Sequence, residues 1–338
     1  MKAIQVKQPH QLDIVDTERP KVQTETDVIV RVTTVGICGS DMHIYHGSNP
    51  FTVYPRVIGH EVAGRVEETG AAVTNVKKGD LVALEPIRSC GTCYACKNDR
   101  PNVCTDLVVY GVHADGGMSE WMRADERNWH PVEDHVTEEA AALIEPLTIG
   151  AQASFRGNIQ SGDTVLIMGA GPTGIACLLL AKERGATVWM SDFNTNRLDY
   201  ATSIGADRVI NPGTTDVEEE VTRATDGEMM NVVIDAVGIT STFEQAVQLA
   251  SVAGTVVTLG FNEQPSLIPS FQLTKKELNV VGSRLQTHQF PTVIKKVNAG
   301  ELKPEAIISH RFHFKDVKEA FSLLENEPEN VRKVVIEF

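Results

Sequence analysis

The chain of 338 residues contains no apolar run approaching the ~18–20 residues of a membrane span. Its opening, MKAIQVKQPH, lacks the apolar core of a signal peptide. Both observations lead us to expect a soluble, cytoplasmic protein. Positive charge is in deficit: 31 Lys and Arg stand against 45 Asp and Glu, for a formal charge of −14. Such an acidic surface repels phosphate backbones and anionic lipid, so neither nucleic acid nor membrane is expected as a partner. Internal repeats, low-complexity tracts and long linkers are also missing. Hydrophobic residues make up 42% and charged residues 22%, well inside the folded regime. At ~100–200 residues per domain, the length points to two domains.

Cysteines are few but concentrated. Four of the six (Cys90, Cys93, Cys96 and Cys104) fall within fifteen residues, leaving Cys38 and Cys177 apart. In a reducing cytosol such a cluster reads as metal binding rather than as disulfides. The pattern Cys90-x2-Cys93-x2-Cys96-x7-Cys104, with turn residues Gly91 and Pro101, can wrap one tetrahedral zinc. Four protein ligands leave no open position, so this zinc is expected to be structural. An iron–sulfur cluster uses similar spacings, but no proline follows the last cysteine. Cys177 lies in an apolar helical run and reads as packing.

Two textures follow one another along the chain. Up to about residue 150, short β-type runs (Val28–Val35, Val62–Glu67, Leu81–Leu84) are separated by Gly and Pro, predicting an irregular β-rich domain. From Gly162, strands alternate with helices. Thr164–Met168, Thr187–Ser191, Arg208–Ile210, Asn231–Asp235, Thr255–Leu259 and Asn279–Gly282 are candidate strands, and Gly174–Arg184, Asn196–Ile204 and Phe243–Ser251 candidate helices. Alternation of this kind predicts a doubly wound parallel sheet, an α/β dinucleotide-binding domain. Periodicity does not assign the stretch after Arg284, which ends in the strand-like run Val331–Phe338.

Gly169-Ala-Gly171-Pro172-Thr173-Gly174 follows the first of these strands and opens a helix, the context in which a G-x-G-x-x-G turn carries meaning. The glycines permit the tight turn, the close approach of a pyrophosphate and the helix–strand packing. Asp192 ends the next strand, 23 residues after Gly169, where an acid binds an adenosine ribose. A plain turn aspartate is the alternative. The expected cofactor is NAD, with Arg197 nearby as a possible phosphate contact. A second donor set is dispersed: Cys38 in a Gly-flanked turn after a strand, His60-Glu61, and Glu145. Together these residue types can hold a zinc with an open position. Spacing alone does not join them.

Gly59-His60-Glu61-x2-Gly64-x5-Gly70-x2-Val73 with Gly79-Asp80 resembles the signature of the zinc-containing medium-chain alcohol and polyol dehydrogenases. The four-cysteine lobe, Cys38-Gly-Ser-Asp41 and the Gly169–Gly174 turn with Asp192 occur in that family's order, so the resemblance covers essentially the whole chain. It implies a discontinuous GroES-like catalytic domain, residues 1–150 and 285–338, around a Rossmann NAD-binding domain, residues 151–284. It implies a catalytic zinc held by Cys38 and His60 with the carboxylates Glu61 and Glu145, one ligating while the other holds water or exchanges, beside the structural zinc of Cys90, Cys93, Cys96 and Cys104. Ser40 and His43 resemble the family's proton relay. A glutamate at 145 resembles the sorbitol, threonine and sugar-acid dehydrogenase branch, where classical alcohol dehydrogenases carry cysteine. A second carboxylate beside zinc gives the set excess negative charge, a reason for one glutamate to stay off the metal.

The segments Tyr54–His60, Ser89–Cys93, Gly111–Gly117 and Ile144–Ile149 most resemble a bacterial branch related to starvation-sensing and gulonate, idonate or galactonate dehydrogenases. A sugar acid needs a cation for its carboxylate, and Arg56, Arg88 and Arg284 are the candidates. The expected reaction is NAD-linked oxidation of a secondary hydroxyl of such an acid. The alternatives are a neutral polyol, a threonine-type substrate, a zinc-free quinone reductase or a non-catalytic NAD-sensing regulator. His113 is either a cleft residue or a turn residue. Assembly as a homodimer or homotetramer through the edge strand Asn279–Gly282 is expected.

Overall fold

Ten of the eleven side chains of Asp27–Ile37 (DVIVRVTTVGI) are buried. A run so continuously buried belongs inside a sheet covered on both faces, not at an edge. The computed structural model, which describes residues 1–260 and 262–338, places it there. The chain divides into two units, Met1–Glu145 with Thr287–Phe338, and Pro146–Gln286. The first division falls inside the helix Ile144–Arg156, where no loop marks it.

In the discontinuous unit, among the described residues, the main sheet runs Trp129–Val132, Leu81–Leu84, Glu61–Thr69, Asp27–Ile37, Lys333–Glu337, Ile308–His313, with Trp121–Asp125 also pairing to Asp27–Ile37. Two pairings position the chemistry. Gly36 lies opposite Glu61 in one antiparallel pair. On the other side Ile37 lies opposite Val334, so the C-terminal strand passes beside the end of the central one. The question that periodicity left open is thereby answered. Residues 333–337 return to the β-rich unit because its central strand needs a second hydrogen-bonded neighbour.

In the other unit the described residues form one parallel sheet. Its order is Arg208–Ile210, Thr187–Ser191, Thr164–Met168, Met230–Asp235, Ala250–Thr258, Asn279–Gly282. The order reverses direction between the third and fourth of these, the switch point of a doubly wound sheet. Four of the six expected strands have the residues read from sequence. Two are longer: Met230–Asp235 begins one residue earlier, and Ala250–Thr258 begins five earlier and ends one earlier. The helix expected over Phe243–Ser251 is therefore displaced to Thr240–Leu249, because Ala250 already pairs with Met230. No described helix is long and apolar enough to cross a membrane.

Candidate active site

The Gly-flanked turn that carries Cys38 is the start of a helix. The central strand ends at Ile37 and Cys38 is the N-cap of a helix, Gly39–His46. The Asp41 carboxylate holds that start, accepting from the Cys38 N–H at 2.9 Å and from the Gly59 N–H at 3.1 Å. One buried aspartate thus ties together the two turns that carry Cys38 and His60. Gly59 has φ +93°, and a Cβ on Gly116 would stand 2.2 Å from its carbonyl oxygen. The glycines of Gly111–Gly117 therefore form a close-packed cradle under the turn that aims His60.

Side-chain donor atoms of Cys38, His60 and Glu61 lie within 4.8 Å of one another. His60 and Glu61 are buried, and His60 Nδ1 and Glu61 Oε2 have no hydrogen-bond partner. His60 Nδ1 faces Asp41 Oδ1 at 3.8 Å, whereas Glu61 Oε2 is left bare, and an unpaired buried polar atom is expensive enough to call for a bound group. A thiol, an imidazole and a carboxylate together suit zinc. Gly36 makes the space: a Cβ there would sit 1.9 Å from Glu61 Oε2. Burial opposes a charge on the His60 ring, but Asp41 and Cys38 beside it hold its pKa well above the ordinary value. Glu145, in the first turn of Ile144–Arg156, is buried as well, and burial pushes its carboxyl up to about 7. It is absent from the three-donor cluster.

Sequence reasoning missed Lys333. It is 3% exposed, and its Nζ donates to Glu61 Oε1 at 2.5 Å and to the Ile37 carbonyl at 3.1 Å. Burial works against its charge, but Glu61 and Cys38 outweigh burial and raise its pKa. The signal was available: a lysine at the head of the apolar run Val334–Ile336. Its cation also corrects the charge argument made from sequence. With Lys333 counted, Cys38, Glu61 and Glu145 together balance a divalent ion, and electrostatics gives Glu61 no reason to stay away from the metal.

Ser40 and His43 lie three residues apart on Gly39–His46, and the exposed His43 places Nδ1 2.9 Å from Ser48 Oγ. Among the four clustered cysteines, Sγ–Sγ separations are 3.5 Å (Cys93–Cys96), 3.9 Å (Cys93–Cys104) and 3.4 Å (Cys90–Cys104). Ligands ~2.3 Å from a tetrahedral zinc stand ~3.8 Å apart, so the lobe fits that ion. Backbone N–H groups of Thr92 and Cys93 point at Cys90 Sγ, and that of Asp106 points at Cys104 Sγ. Backbone N–H groups of Cys96 and Thr105 draw the Cys93 thiol down to about 5. Cys177 is fully buried, and burial pushes its thiol up to about 12.

In the second unit, Gly171 caps the helix Pro172–Glu183, with Pro172 at its first position and Thr173 next. Gly169 has φ +96°, and a Cβ on Gly174 would lie 1.9 Å from the Gly169 carbonyl oxygen. Space beside Gly171 is open. Asp192 accepts from the Ala170 N–H and the Asn194 N–H, both at 2.8 Å, so it braces this turn. Arg197 follows on the helix Thr195–Ser203. The other singled-out residues divide. Arg56 is matched by Asp115 at 2.9 Å, Arg88 lies over the Tyr110 ring at 5.5 Å, and Arg284 is in the second unit. His113 Nδ1 accepts from the Val109 N–H at 3.1 Å, which gives it a turn role.

Residues 24–134 match the alcohol dehydrogenase GroES-like domain, and residues 172–299 match the zinc-binding dehydrogenase family. The chain belongs to the zinc-type medium-chain alcohol dehydrogenases. The enzyme is 41% identical to the starvation-sensing protein RspB of Escherichia coli K12, over 100% of this chain and 99% of that one. It is 33% identical to the L-galactonate-5-dehydrogenase of the same organism, over 95% and 94%. It superposes on an alcohol dehydrogenase (rspB) from E. coli CFT073, solved with NADH, with TM-score 0.95, 40% identity and coverage of 100% and 99%. The parallel-sheet unit and the GroES-like unit are thus those of a zinc-dependent dehydrogenase.

Proposed function

We propose that the enzyme oxidises a secondary hydroxyl of a five- or six-carbon sugar acid of the gulonate, idonate or galactonate type, with NAD as acceptor, and reduces the ketone in reverse. The observation that carries the reaction class is the convergence of half-buried Cys38 with buried His60 and Glu61, one Glu61 oxygen being left unpartnered. These three residues, with Glu145 as an exchanging carboxylate, would hold the catalytic zinc. Cys90, Cys93, Cys96 and Cys104 would hold the structural one. When bound, zinc supplies a Lewis acid that lowers the pKa of a substrate hydroxyl, and the dinucleotide supplies the hydride acceptor.

The chain's own residues do the rest. Asp41 fixes the turns bearing Cys38 and His60, and Lys333 holds one Glu61 oxygen so that Oε2 faces the cluster. The Ser40 hydroxyl takes the substrate proton, and the exposed His43 imidazole, one helical turn on, passes it to solvent. In the second unit the Gly169–Gly174 turn and the helix start receive the pyrophosphate, while Asp192 keeps lone pairs for a ribose hydroxyl. Oligomerisation through Asn279–Gly282 is supported by its place at the sheet edge and by exposed Val280. A cytoplasmic location accords with four clustered thiols arranged as metal donors.

The substrate class draws support from the similarity to a galactonate dehydrogenase, and Arg88 and Arg284 are the candidates for its carboxylate. Arg56, already paired with Asp115, favours the second reading, a neutral polyol. The test compares kcat/KM for gulonate, idonate and galactonate with sorbitol and xylitol in wild type, Arg88→Ala and Arg284→Ala. Loss of a charge-assisted hydrogen bond costs about 1.5–3 kcal/mol, or roughly ten- to a hundred-fold, on acids only. Equal losses on acids and polyols would transfer the assignment to a neutral polyol. No turnover of any alcohol with two zincs bound would revive the regulator reading.

A further inference from the structure

We propose that the GroES-like unit carries a third transition-metal site, separate from both zinc sites above, in which His10, His46 and Glu325 hold one divalent ion of the zinc class. Three distant segments supply the donors. His10 occupies the turn between Lys2–Gln8 and Gln11–Asp16, His46 ends the helix that Cys38 begins, and Glu325 lies on Val317–Asn326. One donor atom from each lies within 4.8 Å of the other two.

The arrangement is built from packing that does not depend on the ion. The His10 N–H donates to the Tyr45 carbonyl at 2.7 Å, docking the hairpin turn on the end of the helix. The Tyr45 ring meets His10 edge-on at 5.4 Å and Phe321 edge-on at 5.3 Å. Phe321 is buried and stands one helical turn before Glu325, so a single tyrosine anchors the backbones on either side of the donor set. His46 Nε2 is 2.8 Å from Glu325 Oε1, and the His10 ring centroid is 5.4 Å from that of His46. The histidine–glutamate pair accounts for two members. The third, His10, has no side-chain hydrogen bond among the described residues and stands where a shared cation would recruit it.

Two imidazoles and one carboxylate form a donor set that selects Zn2+, Ni2+ or Co2+ over Mg2+ and Ca2+. All three residues are exposed, so water completes the coordination and the ion exchanges freely with solvent. Such an ion is a clip. It ties the first hairpin and the last helix to the element whose start presents Cys38, and it binds the folded chain alone, so occupancy raises stability.

The experiment titrates Zn2+ into enzyme already carrying two zincs per chain, against a chromogenic chelator, with Ni2+ as a second probe. Wild type takes up one further equivalent, while His10→Ala and Glu325→Gln stop at two. Added Zn2+ raises the melting temperature of wild type and of neither variant. Both positions are exposed and outside the catalytic machinery, so the variants fold and keep basal turnover without added metal. A third equivalent retained in both variants, or no third equivalent in wild type, overturns the site.

Discussion

Replacing Lys333 with Met tests the charge balance of the catalytic cluster. In protein stripped of the catalytic zinc, the methionine fills a similar volume but leaves the Glu61 carboxylate, 1% exposed, with both oxygens unpaired and no cation beside it. Breaking a buried ion pair by removing one partner destabilises by about 3–5 kcal/mol, whereas replacing both with neutral groups of similar shape is close to neutral. For a unit of roughly 200 residues, each kcal/mol moves the melting temperature by about 2–4 °C, so Lys333→Met lowers it by about 6–20 °C. The double variant Lys333→Met/Glu61→Gln recovers most of that loss, giving a coupling of several kcal/mol in a double-mutant cycle. Scanning calorimetry on wild type, both singles and the double, each after mild chelation has removed the ion at Cys38, His60 and Glu61, provides the four measurements. If the double variant melts no higher than Lys333→Met, the lysine is held by packing and its pairing with Glu61 is incidental.

Mild chelation removes the ion at Cys38, His60 and Glu61 first, abolishing turnover while far-UV circular dichroism is unchanged, because a closed four-thiolate site exchanges slowly. Cys93→Ser instead lowers the melting temperature, and an unaltered melting curve would refute its structural role. Gly36→Ala places a methyl on the Glu61 carboxylate, an overpacking strain of about 1–3 kcal/mol that weakens zinc retention roughly ten-fold in a chelator competition. The shorter carboxylate of Glu61→Asp in the same background relieves the clash, and no relief would contradict the steric account. Asp192 favours NAD over NADP in kcat/KM, since a carboxylate repels a 2′-phosphate. Asp192→Ala erodes that preference and also costs about 1–3 kcal/mol of stability, because the Ala170 and Asn194 N–H groups lose their acceptor.

The parallel-sheet unit was legible almost residue by residue, because its information is local. Thr164–Met168 is apolar and buried from Val165 on, and the turn after it needs glycine at 169 and 174 for reasons confined to a few neighbouring atoms. The four-cysteine lobe was legible for the same reason, its donors lying within fifteen residues of one another. The dispersed site was not. Cys38, His60 and Glu145 are joined by no period, and from residues alone each has an ordinary reading, so they came together only through resemblance to a family. Tertiary structure decided what lies between them. Strand register sets Glu61 against Gly36, and the returning C-terminal strand, 272 residues further on, brings Lys333 to the same carboxylate. A buried ion pair spanning that distance leaves no periodic trace in the chain. It exists because the central strand needs a hydrogen-bonded partner on each side, and the partner it receives carries the cation.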